Sequence, residues 1–176
     1  PYGAAANQPG YWNAIEAAST AAVMPIFDLF GYTTPVTFTS NGNCQTSGSD
    51  DPQTTYDNGR LLDDTISLGA PGTLRTFFIE GLPQGAYDVF TYAWKPSDPA
   101  TLSTIDVNGT GPQTVGGAWT GALAHGVTHA LHNVDVRGGS LTINTGVPAG
   151  GTFGGMNGIQ VVRHQSPLCG ADVNCD

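Results

Sequence analysis

GLPQGAYDVFTYAW, Gly81 to Trp94, reads as a tight turn delivering a strand that is apolar on both faces. Side chains alternate along a strand, so Tyr87 and Val89 point one way while Phe90, Tyr92 and Trp94 point the other. Pro83 presets a turn φ, and Gly85 can take the positive φ that most residues avoid. A strand loaded on both sides belongs in the middle of a packed β structure.

Outward from this strand, extended segments recur at regular spacing. Thr73 to Glu80 precedes it; Ser103 to Val107, Thr114 to Trp119, Thr128 to Val136, Ser140 to Thr145 and Asn157 to Arg163 follow. Turns rich in Gly, Pro, Asn and Asp separate them, among them NGTG at Asn108 to Gly111. RGG at Arg137 to Gly139, between two alternating runs, predicts a hairpin. Upstream, Tyr11 to Ile15, Met24 to Phe30, Pro35 to Ser40 and Leu61 to Leu68 are strand candidates, and EAASTAAV (Glu16 to Val23) is the one helix-permissive run. Asn41 to Asn58 is a long polar loop, of a length usually functional or disordered. About eight to ten strands without helices to cover parallel crossovers predict an all-β, two-sheet antiparallel jelly-roll sandwich. It should occupy residues 11–165, with an N-terminal arm at 1–10 and a Cys-bearing tail at 166–176.

Composition agrees. Charged residues are 11% of the 176, and 25 Gly with 12 Pro favour turns and strands over helices. The net charge is −9, and the five cations (Arg60, Arg75, Lys95, Arg137, Arg163) are scattered. Nucleic acid and anionic membrane surfaces are therefore poor partners. The most apolar stretch, Ala17 to Phe30, is too short to span a bilayer and is broken by Pro25. Pro1 in place of Met suggests a removed leader or an excised fragment, and the sparse Lys with abundant Asp, Thr and Gly suggests a secreted or cell-surface protein. Three cysteines, Cys44, Cys169 and Cys175, imply one disulfide and one thiol in that setting. Cys169 to Cys175 would make a small clip; pairing Cys44 into the tail closes a longer loop and is the favoured expectation.

RLLDD (Arg60 to Asp64), GLPQGAYDVFTYA (Gly81 to Ala93), SLTINTG (Ser140 to Gly146) and MNGIQVV (Met156 to Val162), after an opening Trp12-Asn13 and FDLFGYTTPVTFT (Phe27 to Thr39), resemble exported bacterial domains. They are similar to galactose-binding-like jelly rolls, the sandwich of many carbohydrate-binding modules, over residues 11–163. These are core and turn residues rather than a site. ADVNCD (Ala171 to Asp176) resembles the start of a dockerin-type calcium loop, lacking the Gly and distal acidic ligand that would complete it.

No catalytic set emerges. There is no G-x-S-x-G elbow, and Glu16 and Glu80 are the two glutamates available for a carboxylate pair. His125, His129 and His132 lie close in AHGVTHALH; in an extended chain the first two sit about 13 Å apart, too far to share an ion. Asp50, Asp51, Asp57, Asp63 and Asp64 crowd one segment; the resemblance implies a structural calcium there, and a solvated acidic loop is the competing reading. No cofactor is required. Tyr56 and Trp119 are candidates for stacking on a sugar, whereas Trp12 and Trp94 are expected in the core. Asn108-Gly109-Thr110 is an N-glycosylation sequon in a turn.

These readings point first to a secreted, non-catalytic subunit of an extracellular assembly, a filament or surface layer, self-associating or bound to other surface proteins. The alternative is a carbohydrate-binding module of a larger exported protein, with polysaccharide as its partner.

Overall fold

The computed structural model describes residues 2–48, 51–69, 71–95, 98 and 100–164. Twelve strands form among them: β1 (Met24–Phe27), β2 (Thr33–Ser40), β3 (Gln45–Gly48), β4 (Asp64–Gly69), β5 (Leu74–Glu80), β6 (Gly85–Tyr92), β7 (Leu102–Val107), β8 (Gln113–Gly116), β9 (His129–Val136), β10 (Ser140–Gly146), β11 (Gly154–Met156) and β12 (Gly158–Arg163). A 3₁₀ turn at Ala17–Ser19 and one short helix, α1 (Tyr56–Leu62), accompany them.

One layer is a six-stranded sheet in the order β1-β2-β5-β10-β7-β8. The other is made of two three-stranded pieces, β11-β4-β3 and β12-β6-β9. The ladders between named strands are antiparallel. From β4 to β7, and again from β9 to β12, the chain largely alternates between layers, the winding of a jelly-roll sandwich.

Between the layers, Phe38, Phe77, Ile105, Leu141 and Ile143 from the first meet Leu68, Tyr87, Val89, Val134 and Met156 from the second. β6 behaves as its alternation demands. Tyr87 and Val89 enter this core, while Phe90, Tyr92 and Trp94 enter a second cluster on the outer face with Leu61 and Leu62. Tyr87 also ties its turn down, its hydroxyl donating to the Pro83 carbonyl at 2.7 Å.

A single residue, Asn157, separates β11 from β12 and joins the two pieces of the second layer. Its Nδ2 donates to the Leu62 carbonyl at 2.8 Å, the Asp64 carbonyl at 3.0 Å and Thr65 Oγ1 at 3.0 Å. Its Oδ1 accepts from the Trp94 amide at 2.6 Å, and its own amide donates to the Tyr92 carbonyl at 2.8 Å.

Several expectations are corrected. The RGG turn does not close a hairpin: β9 pairs with β6, whereas β10 pairs with β5 and β7, so Arg137 to Gly139 crosses between layers. Val134 and Val136 then face Leu141 and Ile143 across the core instead of lying beside them. Tyr11 to Ile15 is not a strand. Asn13 takes a strand partner's place with its side chain, accepting from the Phe27 amide and donating to the Phe27 carbonyl, both at 2.9 Å. The polar loop 41–58 contains β3 and the start of α1, and Leu61 to Leu68 divides between α1 and β4. Burial of Leu61 and Leu62, rather than propensity, accounts for the helix. Cys44 is buried near Ala17 with Sγ 3.8 Å from the Gly42 carbonyl and has no cysteine partner among the described residues. Cys169, Cys175 and the ADVNCD segment lie outside the described residues. Trp94 is buried as expected; Trp12 is half-buried.

Asn157→Ala should lower unfolding stability by about 2–4 kcal/mol in urea titration, because it strands the Trp94 amide and three acceptors. Asn157→Asp should cost at least as much at neutral pH, since a carboxylate cannot donate to the Leu62 and Asp64 carbonyls. The exposed Asn144→Ala should stay within about 0.5 kcal/mol.

Candidate functional site

Four exposed large apolar side chains gather at one place, whereas Val23, Tyr56 and Leu74 stand apart. β1 and β2 are joined by Asp28 to Tyr32, and this tip holds Leu29, Phe30 at 84% exposure and Tyr32 at 71%. Tyr11, 52% exposed, packs edge-on to Phe27 with ring centroids 5.7 Å apart, and Phe30 and Tyr32 lie 6.5 Å apart.

The tip is rigidly built. Asp28 Oδ1 accepts from the amides of Phe30 and Tyr32, each at 2.9 Å, in an Asx-type turn. The Tyr11 amide donates to the Leu29 carbonyl at 2.8 Å. This approach requires glycine next door: a Cβ on Gly10 would lie 2.7 Å from the Leu29 carbonyl oxygen. Phe30 and Tyr32 are thus held outward by backbone geometry without a hydrophobic neighbour to cover them. A cavity of about 1050 Å³ opens beside the tip; Tyr11, Asn13, Glu16 and Asp28 line it together with apolar side chains of both layers such as Ile26, Val36, Ile79 and Val161, while Phe30 and Tyr32 stand outside it. Flat aromatic faces beside a largely apolar cleft that also contains carboxylate and amide groups can hold a ring that has one apolar face and a polar rim.

Sequence reasoning did not single out Tyr11, Phe30 or Tyr32. The available signal was FDLFGYTT, where aromatic residues flank the Gly31 turn; turn tips are solvated, so aromatics there have no core to join.

Of the residues that were singled out, Tyr56 is 91% exposed at the start of α1, with φ +57, an unusual conformation for a bulky side chain. Trp119 is half-buried and packs on Trp94 with centroids 5.2 Å apart, while Trp94 Nε1 donates to the Gly117 carbonyl. The acidic residues serve separate local roles. Asp51 accepts from the Gln53 amide, Asp63 accepts from Thr54 Oγ1, Asp57 pairs with Arg60, and Asp64 opens β4. Among the described residues no three His, Cys, Asp or Glu side chains form a metal-holding group; Asp50 lies outside them. Asn108 sits in the β7–β8 hairpin with φ +51, and its Oδ1 accepts from the Thr142 amide at 2.7 Å.

The histidines correct an expectation. Residues 125–128 form a turn rather than an extended chain, with Gly126 at φ +78, so the His125 and His129 rings lie 6.0 Å apart. His125 Nε2 contacts Gln113 Oε1 at 2.9 Å and His129 Nδ1 contacts Thr128 Oγ1 at 3.2 Å. His129 packs on Phe90 and Tyr92 in the outer cluster, and its pKa is lowered to about 4, first by burial and then by His125.

Neither a family model nor a curated protein matches the chain. Similar solved structures include TmCBM61 in complex with β-1,4-galactotriose, 12% identical over 74% of this chain and 90% of that one, TM-score 0.39. A CBM35 from Cellvibrio japonicus Abf62 is 18% identical over 74% and 94%, TM-score 0.42. The CBM36-1 domain of a multidomain xylanase from the hindgut metagenome of Trinervitermes trinervoides is 13% identical over 74% and 99%, TM-score 0.42. The fold itself rests on the strand pairing above.

The fold keeps His129 neutral down to about pH 4, whereas the unfolded chain takes up that proton near 6.5. Between those values the unfolded chain binds more protons, so stability should fall as pH drops from 6.5 toward 4. Allowing for partial solvent screening, the loss should be about 1–2 kcal/mol, read from thermal melts across that range. His129→Phe should flatten the profile. A residual slope of the same sign should remain from His132, which burial also pushes down.

Proposed function

We propose that this chain is a non-catalytic carbohydrate-binding module of an exported protein, gripping polysaccharide at the shelf formed by Tyr11, Phe30 and Tyr32. The observation that carries the reading is that shelf. Aromatic rings are held in solvent by a hydrogen-bonded turn, next to a largely apolar cleft whose lining includes Asn13, Glu16 and Asp28. Aromatic faces stack on the C–H face of a pyranose while polar neighbours read its hydroxyls. Tyr56, exposed and held at positive φ, is a further stacking side chain of the same kind. The binding-module reading replaces the filament or surface-layer subunit as the preferred function. A shelf with polar groups at its margin fits a hydroxylated chain better than a self-complementary apolar contact. Placement outside the cell, a calcium at the acidic segment and a glycan on Asn108 remain parts of this proposal that rest on sequence alone.

Affinity electrophoresis and calorimetry against β-galactans, xylans and β-glucans should find a ligand. Phe30→Ala with Tyr32→Ala should weaken binding about tenfold or more, from about 0.5–1.5 kcal/mol per ring beyond area, while melting stays near wild type. No binding across the panel, or unchanged binding by the double variant, would exclude the shelf. Concentration-dependent assembly lost in the double variant would restore the filament reading.

A further inference from the structure

The outer face of the β12-β6-β9 sheet is covered by the chain's own beginning. Residues 2–10 run over it, joined to the sheet by an unusual set of contacts. The Tyr2 ring stacks on Trp12, centroids 6.2 Å apart and planes at 27°. The Ala5 amide donates to the Tyr92 hydroxyl at 2.8 Å, and Gln160 Nε2 donates to the Gly3 carbonyl at 3.2 Å. Beneath, the Tyr92 hydroxyl donates to Gln160 Oε1 at 2.5 Å, and both side chains are buried. The strap therefore places a flat ring on an indole, and one donor and one acceptor on a buried Tyr–Gln pair; at its start Trp12 Nε1 donates to the Tyr2 carbonyl at 3.0 Å and the Tyr2 hydroxyl donates to Asn58 Oδ1.

A pyranose offers the same three things: a flat C–H face, and hydroxyls that donate and accept. The strap is also suited to leaving. Gly3, Ala4, Ala5 and Ala6 fill it with little side-chain bulk, it carries no charge, and Ala4 (φ +45) and Asn7 (φ +51) are in the left-handed region that disfavours side chains.

We propose that Trp12, Tyr92 and Gln160 form a second saccharide-binding surface, and that residues 2–8 occupy it as an internal mimic of the ligand. The ligand class is that of the proposed function, on which this inference rests; Trp12 and Gln160 also line the cavity beside the Phe30–Tyr32 shelf, whereas the Tyr92 hydroxyl and the Ala5 amide bonded to it belong to this surface alone. Binding requires displacement of the strap, so the apparent affinity is the intrinsic one multiplied by the fraction of molecules with the strap released.

The test uses the full chain with galacto-, xylo- and cellotriose as probes. Ala5→Pro removes the amide that donates to Tyr92 and should raise affinity for at least one trisaccharide about fivefold or more. Ala4→Gly relieves the left-handed strain, secures the strap and should lower affinity about threefold, through the released fraction. Adding Tyr92→Phe to Ala5→Pro should cancel the gain, and adding Phe30→Ala with Tyr32→Ala should leave it in place. In the wild-type chain, millimolar trisaccharide should speed hydrogen exchange at the Ala5 and Gln8 amides, a readout that does not depend on the variants folding. Unchanged affinity in Ala5→Pro, or a gain that survives Tyr92→Phe, would overturn the second surface. Strap amides that exchange no faster under saturating probe would do the same. If wild type fails to bind at the shelf but Ala5→Pro binds with the expected dependence on Tyr92, the shelf is wrong and this surface stands.

Discussion

The side chain of Asn157 is the constraint on which the second layer depends. It occupies the single position between β11 and β12 and reaches the end of α1, the start of β4 and the end of β6 at once. An amide suits this place because it combines donors with an acceptor on one flat group. The two small sheets would otherwise present separate edges. With Asn157 in position, the acidic segment and the strand that ends at Tyr92, with Trp94 just beyond it, are anchored to the same point, and the outer aromatic cluster is built above it.

That outer cluster explains how a chain so poor in charge organises its surface. Tyr2, Trp12, Phe90, Tyr92, Trp94 and Trp119 do not all join the central core; they form a second apolar layer outside the sheet, covered by the N-terminal segment and the segment bearing Trp119 and Leu123. The β1–β2 tip is the contrasting case, where aromatic side chains are oriented by the backbone and left without cover. One sheet face, one turn and Tyr56 at the start of α1 therefore hold most of the aromatic groups outside the central core.

β6 was readable because burial on both faces leaves large apolar side chains at odd and even positions alike, from Tyr87 to Trp94. The class of fold followed from that strand and from turn spacing. Partners were not readable, because turn chemistry reports a reversal of direction and not which layer the chain rejoins; Arg137 to Gly139 shows this. Asn13 and Asn157 were invisible for a related reason. Each substitutes a side chain for a backbone partner, and an asparagine near a turn looks the same whether or not it does so. α1 was missed because its helix-forming reason, the burial of Leu61 and Leu62, lies in the tertiary structure. The Tyr11, Phe30 and Tyr32 shelf was partly legible, since its aromatics flank a glycine turn. The proximity of His125 and His129 depended on one positive φ at Gly126.

The crossing of Arg137 to Gly139 from one layer to the other bears on how the molecule comes together. A hairpin there could have formed early from neighbouring residues. Instead β9 waits for β6 and β10 waits for β5, and the Asn157 contact with Leu62 closes across 95 residues. Loop-closure entropy must be met before such distant pairings yield stabilisation, which places this chain among slow folders, on the order of milliseconds to seconds. During that interval the Val- and Ile-rich strand edges stand open, so the nascent chain passes through its most association-prone state before its last strand is seated.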